Sequence, residues 1–363
     1  MKIKITGAII LLLVIIGAFF VKNNQTIKKV IAVKQTTTIK GFIGGEKIGL
    51  FDDPEIAKVV KDKYGLLFDY SKAGSLDMIN AKTDNLDYLF PSSSTDLELF
   101  KQKNNSKIAK SQFEFNSPIV IYSWDIITDA LIKQGIVKEV NKTYYIIDMK
   151  KMMDLLVQNK KWSDIGVDAL YGNVSITSTD PTKSNSGNMF AGLVANMFNN
   201  GEVVNASTVN TVIPKVKHLF DKLGYLEPSS SDLFNSYLKT GVGSKPMAVG
   251  YENQIIEFAS TYPAQWNQVK GKVRILYPAP TIWSSHPFIA LNSKSTKAID
   301  ALSDNEVQQL AFKKHGFRTA IVGIENDTKL LTVSGIPGEI TKTIPVPDPT
   351  TMSKIIAGLS STK

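Results

Sequence analysis

The sequence predicts an α/β protein, a mixed sheet flanked by helices, on three observations. Short apolar runs alternate with stretches whose apolar residues recur at helical spacing. The apolar runs end in small polar residues that double as helix caps. The composition, 43% apolar and 21% charged over 363 residues, is that of a folded globular chain long enough for one large or two medium domains.

Residues 38–43 form a first strand. Asp52 or Asp53 before Pro54 then opens a helix to Tyr64, because an acidic cap and an early proline suit the unpaired N–H groups of a first turn. Residues 66–70 make the next strand, Ser75 caps a short helix, and Tyr88-Leu89-Phe90 is a buried strand stopped by Pro91. Residues 92–95 cap a helix to Gln102. An apolar strand at 117–124 leads into a helix at 125–134, a strand at 144–147 and a helix at 150–158. Val174 to Ile176 end another strand. The polar run from Ser175 to Gly187 then opens a helix from Asn188, with Met189, Phe190, Leu193, Val194 and Met197 at helical spacing. Helices follow at 208–223 and after the cap at 229–232, and an apolar strand meets a helix at Tyr251-Glu252. Strands at 273–277 and 287–291 bracket Pro278-Ala279-Pro280-Thr281, with helices near 296–314 and 350–359 to finish.

Residues 5–21 carry no charge, follow Lys2 and Lys4 and precede Lys22, the pattern of an export signal. As a helix this segment is about 26 Å long, just short of the roughly 30 Å hydrocarbon core, so it suits a cleaved signal peptide or a marginal membrane anchor. The anchor is favoured because residues 17–22 offer no small-x-small cleavage pattern, and a chain without cysteine has no lipidated-cysteine attachment. The expected location is the cell membrane, single-pass with the main domain outside, or secreted if the signal is cut. Residues 23–38, polar and poorly periodic, read as a tether.

Zero cysteines exclude disulfides, thiolate catalysis and zinc–sulfur sites. His218, His286 and His315 show no His-Glu-x-x-His spacing, and no Gly-x-Ser-x-Gly, Walker A or dinucleotide fingerprint occurs. Binding without catalysis or cofactor is therefore expected. The net charge of +9 comes from dispersed lysines, which suits an anionic membrane or wall surface. No basic stretch interleaved with aromatics points to nucleic acid.

Five motifs stand in order: Gly44-Gly45-Glu46-Lys47; Phe90-Pro91-Ser92-Ser93; Ser178-Thr179-Asp180-Pro181 with Ser184-Asn185-Ser186-Gly187; Val249-Gly250-Tyr251-Glu252; and Tyr277-Pro278-x-Pro280-Thr281 before His286-Pro287. With them, residues 41–359 resemble the bacterial extracellular, periplasmic-type solute-binding proteins of type 2 fold, in the group with molybdate- and sulfate-like binders. The resemblance implies two lobes joined by two crossing strands. The expected divisions are an anchor at 1–22, a tether at 23–38, the first lobe at 39–118, the second at 119–284, and a return to the first at 285–363, including the last helix.

Ligands of open α/β sheets sit beyond the carboxyl ends of strands, at helix N-termini, where these polar loops recur. The candidate ligand-binding residues are Gly45, Ser75, Ser92, Ser93, Thr179, Ser184, Ser186, Tyr251 and Glu252. Glu252, at a helix start, either lies at the surface or meets a cationic group of the ligand. The expected function is capture of a small polar solute, an oxyanion, amino acid or sugar, for transport or sensing with a permease or surface partner. The missing lipid-attachment cysteine motivates an alternative, a membrane-anchored interaction or sensor protein that keeps the fold without small-ligand transport.

Overall fold

The strand at residues 110–124 changes partners halfway along, and the architecture follows from that change. In the computed structural model, which describes residues 36–360, ten strands form one mixed sheet: β1 (Thr37–Ile43), β2 (Leu66–Lys72), β3 (Tyr88–Phe90), β4 (Lys110–Trp124), β5 (Val137–Val140), β6 (Thr143–Ile146), β7 (Met247–Tyr251), β8 (Val273–Pro278), β9 (Trp283–Ala290) and β10 (Arg318–Thr319). The predicted anchor lies outside the described residues, and no described helix is long and apolar enough to cross a membrane. The path is β2-β1-β3-β9-β4-β8-β6-β5, with β7 and β10 also on β4. Residues 110–118 of β4 pair antiparallel with β9, and residues 119–124 pair with β7 and β8. β1 runs parallel to β3, and β6 to β8. From Ser117 onward β4 is buried at every position, which explains its apolar run from Pro118 to Tyr122.

Separate cores form on the two halves of the sheet. Ile39, Ile43, Tyr88, Phe90, Phe115 and Phe288 anchor the first, under the helices Pro54–Tyr64, Ser293–Leu302 and Asn305–His315. Ile121, Phe190, Leu193, Leu219 and Ile255 belong to the second, larger one, with the helices Asn185–Phe198, Val209–Lys222 and Ser230–Thr240. Local signals work as expected at Asp53, whose side chain accepts from the N–H groups of Glu55 and Ile56 at 2.8 and 3.2 Å. Gly65, at φ 64°, ends that helix in the left-handed conformation glycine tolerates.

Several expectations are corrected. Ser75 is the first residue of the helix Ser75–Asn80, and Gly74 holds the cap position. Residues 174–176 join no ladder, because their neighbours Thr177 and Thr179 bridge singly to different segments, at Ala248 and Glu227. The following helix starts at Asn185. The helix expected at 296–314 breaks at Asp304, whose carboxylate caps a new helix by accepting from the N–H of Glu306.

The last helix, Pro349–Ser360, packs mainly into the second half and touches the first at the helix Ser94–Asn104. Met352, Ile355 and Ile356 enter the second core, against the helices Val209–Lys222 and Asn185–Phe198. Two glycines permit that packing. A Cβ on Gly192 would lie 3.2 Å from Met352 Sδ, and one on Gly358 would lie 2.6 Å from Ile213 Cγ2.

Candidate functional site

A cavity of about 300 Å³ lies where the halves meet, lined by residues 44–46, 72–75, 77 and 92 from one side and 183–185, 228–230, 232 and 251 from the other. Two larger hollows, of about 520 and 470 Å³, draw only on second-half residues. Of the predicted site residues, Gly45, Ser75, Ser92, Ser184 and Tyr251 line the shared cavity.

The remaining four do not. Ser93 caps the helix Ser94–Asn104, accepting from the Asp96 N–H at 3.2 Å and donating to Asp96 Oδ2 at 2.7 Å. Thr179 and Ser186 are fully buried with their hydroxyl oxygens 2.7 Å apart, and Ser186 Oγ lies 3.2 Å from that of Ser184. They support the lining hydroxyl from behind. Glu252 is fully buried, and its carboxylate accepts from Arg318 Nε at 2.6 Å, Arg318 Nη2 at 3.0 Å and the Tyr277 hydroxyl at 2.7 Å. Both oxygens are committed inside the protein, which overturns the expectation that Glu252 meets a ligand.

The floor of the cavity is charged. Lys47, fully buried, donates to Glu46 Oε1 at 2.5 Å and to Ser92 Oγ at 2.8 Å, and its ammonium sits 4.9 Å from the centre of the Phe90 ring. The Ser92 hydroxyl also donates to Glu46 Oε1, at 2.5 Å. Burial alone would raise the Glu46 carboxyl, but the Lys47 charge and these hydrogen bonds outweigh it and hold the group at about 2. Burial pulls the Lys47 amine down, with Glu46 opposing. Glu46 is therefore a carboxylate at neutral pH. His286, fully buried, is pushed well below its usual range by burial and by Lys47, so its 3.7 Å approach to Glu46 is not an ion pair. Burial also lifts Asp96 to about 6, against hydrogen bonds from Ser93 and Ser75.

Asn185 joins the halves. From the start of its helix, its Nδ2 donates to the Ser92 carbonyl at 3.1 Å, to Tyr251 Oη at 3.0 Å and to Ser284 Oγ at 3.3 Å. Ser284 in turn donates to the same Ser92 carbonyl. At the mouth, Lys72 Nζ reaches Asp232 Oδ2 at 3.2 Å. Gly74 passes so close to the other half that a Cβ would lie 2.1 Å from the Lys183 carbonyl oxygen.

The sequence alone does not single out Asn185, Lys72, Lys183 or Asp232, although Asn185 lies in the Ser184-Asn185-Ser186-Gly187 motif and Asp232 in the 229–232 cap. Among the described residues no three His, Asp or Glu side chains converge as metal ligands would. The lining offers hydroxyls, amide groups, carboxylates and ammonium groups, a set suited to holding a polar molecule.

No protein-family model matches the chain, and no curated protein matches its sequence. Solved structures do match its fold. The periplasmic thiamin binding protein superposes with a TM-score of 0.57 at 9% identity, over 90% of this chain and 97% of that one. The sulfate-binding protein SubI from Mycobacterium tuberculosis gives 0.55 at 13%, over 87% and 96%. The periplasmic binding protein AfuA from Actinobacillus pleuropneumoniae gives 0.52 at 14%, over 89% and 96%. The chain has the fold of the extracellular solute-binding proteins. Within this solute-binding-protein fold, the Asn185–Ser284 hydrogen bond sets the cavity beside β9, which pairs with β4 between the two halves.

Proposed function

We propose that the protein captures a small polar solute in this cavity, outside the cell, and passes it to a membrane partner for transport or sensing. One observation carries the reading: a polar cavity is assembled from both halves, with Asn185 of one bonded to Ser92 of the other. On this reading the halves are lobes, β4 and β9 are the hinge strands, and the lobes close over the solute. On the same reading the lobes divide near the positions expected from sequence, with the segment from about Leu331 and the last helix assigned to the second lobe, whose core takes Val333, Ile336, Ile344 and Met352. Its volume, about 300 Å³, suits a small metabolite or ion.

The counterparts of similar fold support a small-solute role. One is named for thiamin, one for sulfate, and the third carries bound fructose-6-phosphate. The uncharged segment at residues 5–21 supports an extracellular, membrane-held placement. Selection would come from buried polar groups left unpaired by the wrong solute, at roughly 1–3 kcal/mol each.

The test is thermal unfolding of the purified protein against a panel of oxyanions, amino acids, amines, sugars and cofactors. Saturable stabilisation by one class, growing with concentration as binding linkage requires, is the expected result. A flat response across the panel would refute solute capture.

A further inference from the structure

We propose that Glu46 is a tethered anion: its carboxylate fills the place on the cavity floor where the negative group of a solute would be held, so the cleft takes neutral or cationic solutes and rejects free oxyanions. The claim about solute class rests on the capture reading above. The claim about Glu46 rests on geometry alone.

A buried ammonium and a serine hydroxyl are donors suited to an incoming anion. Here both are spent on the protein's own carboxylate. Lys47 Nζ and Ser92 Oγ each stand 2.5 Å from Glu46 Oε1, and the Glu46 side chain is 5% exposed. Gly44 makes the room. A Cβ there would lie 2.5 Å from both Glu46 carboxylate oxygens, so a larger residue would displace the carboxylate or shift the loop. Lys47 is fully buried and directs its hydrogen bonds to Glu46 and Ser92 within this cluster, so a second anion would have to be desolvated beside an ionised carboxylate.

The rest of the lining leans the same way. Its charged residues are Glu46, Asp77 and Asp232 against Lys72 and Lys183. Both lysines already face carboxylates, Lys72 at Asp232 and Lys183 at Asp180, at 3.2 and 3.8 Å. Asp77, exposed at the mouth, makes no ion pair among the described residues. Asn185 Oδ1, buried without a hydrogen-bond partner, adds an acceptor. Among the lining side chains, the groups not already paired are acceptors and hydroxyls, which meet an ammonium or a polyol better than a sulfate.

The test titrates acetate, which matches the excised side-chain end, and inorganic sulfate into the full-length protein by calorimetry at constant ionic strength. The wild type is expected to give no saturable heat with either. Glu46→Ala empties the position and leaves Lys47 and Ser92 in place, and is expected to bind acetate at least tenfold more tightly than the wild type. Glu46→Gln removes the charge but keeps the place filled, and is expected to stay silent. Acetate binding by Glu46→Gln, silence from folded Glu46→Ala, or saturable sulfate binding by the wild type would each overturn the proposal. Should Glu46→Ala fail to fold in chloride, recovery of its folding in acetate supports the proposal, and failure to recover counts against it. None of these arms needs the natural solute. A flat response of the wild type across the solute panel therefore refutes capture without touching the Glu46 result.

Discussion

Arg318 grips Glu252 through two nitrogens, Nε to Oε1 at 2.6 Å and Nη2 to Oε2 at 3.0 Å, with 5% and 0% of the two side chains exposed. The same guanidinium donates to the carbonyls of Pro337 and Gly338, at 2.6 and 3.0 Å, so it also fastens the segment that leads to the last helix. Removing one member strands the other in a buried site. Arg318→Ala is expected to cost about 3–5 kcal/mol of unfolding free energy in urea titration. A loss below about 1 kcal/mol would mean that water reaches the pair and that Glu252 is open to solutes after all.

Glu114 supplies a pH dependence. It lies at the irregularity in the β4–β9 pairing, where burial pushes its carboxyl up to about 8 against a 2.9 Å hydrogen bond from the Ser303 hydroxyl. Its ordinary value is 4.5, so the folded chain binds a proton that the unfolded chain releases between pH 4.5 and about 8. The contribution is whole below 4.5 and is lost as pH rises through about 8. Glu114→Gln keeps the shape without the proton, and is expected to flatten that decline, by on the order of a few kcal/mol at pH 9. Parallel denaturation curves at pH 5 and pH 9 check it, and an unchanged slope would count against a buried neutral Glu114.

Two serines two residues apart are expected to behave differently. Ser184 lines the cavity, whereas Ser186 is sealed behind it and bonded to Thr179. Ser184→Ala should weaken solute affinity about five- to tenfold, the equivalent of one hydrogen bond, with little change in stability. Ser186→Ala should cost about 1–2 kcal/mol of stability and move affinity less. Calorimetry with the solute found in the panel, beside urea titration, separates the two, and a reversed pattern would move the solute contact to Ser186.

Where a signal is local, the sequence carried it. Tyr88-Leu89-Phe90 reads as buried because every residue is apolar, and Asp53-Pro54 reads as a helix start because cap and proline are adjacent. The apolar spacing of residues 189–197 likewise marks a helix. The site was harder, because its charges are neutralised by partners brought together only in the fold. Nothing near Glu252 announces Arg318, 66 positions on, and an ion pair at that separation has no period to read. Glu46 and Lys47 are adjacent, yet charged neighbours usually mean solvent. Only the fold shows both sealed beneath Ser92, whose loop comes from the far end of β3. The last helix misled for a related reason: an apolar stripe does not name its partner, and only the fold brings it against Gly192 and Ile213 in the second half.

Gly74 gives the sharpest test of closure, because the contact it makes is between the two halves. Its φ of −70° suits any residue, so substitution brings no backbone strain within its own loop. What it lacks is room: an added Cβ would fall 2.1 Å from the Lys183 carbonyl oxygen, far inside contact distance and against backbone that has no rotamer to change. Gly45 faces side-chain atoms instead, Ser231 Oγ at 2.8 Å and Lys72 Cε at 2.9 Å, which can move aside. Gly74→Ala is therefore expected to hold the cleft open, leaving unfolding free energy within about 1 kcal/mol of the wild type while solute affinity falls tenfold or more. Gly45→Ala should lose less affinity. Small-angle scattering with saturating solute should show a larger radius of gyration for Gly74→Ala than for the wild type. Equal radii and equal affinity would mean that the 72–75 and 183–185 loops do not meet in the bound state, and the solute would then have to be held by one half alone.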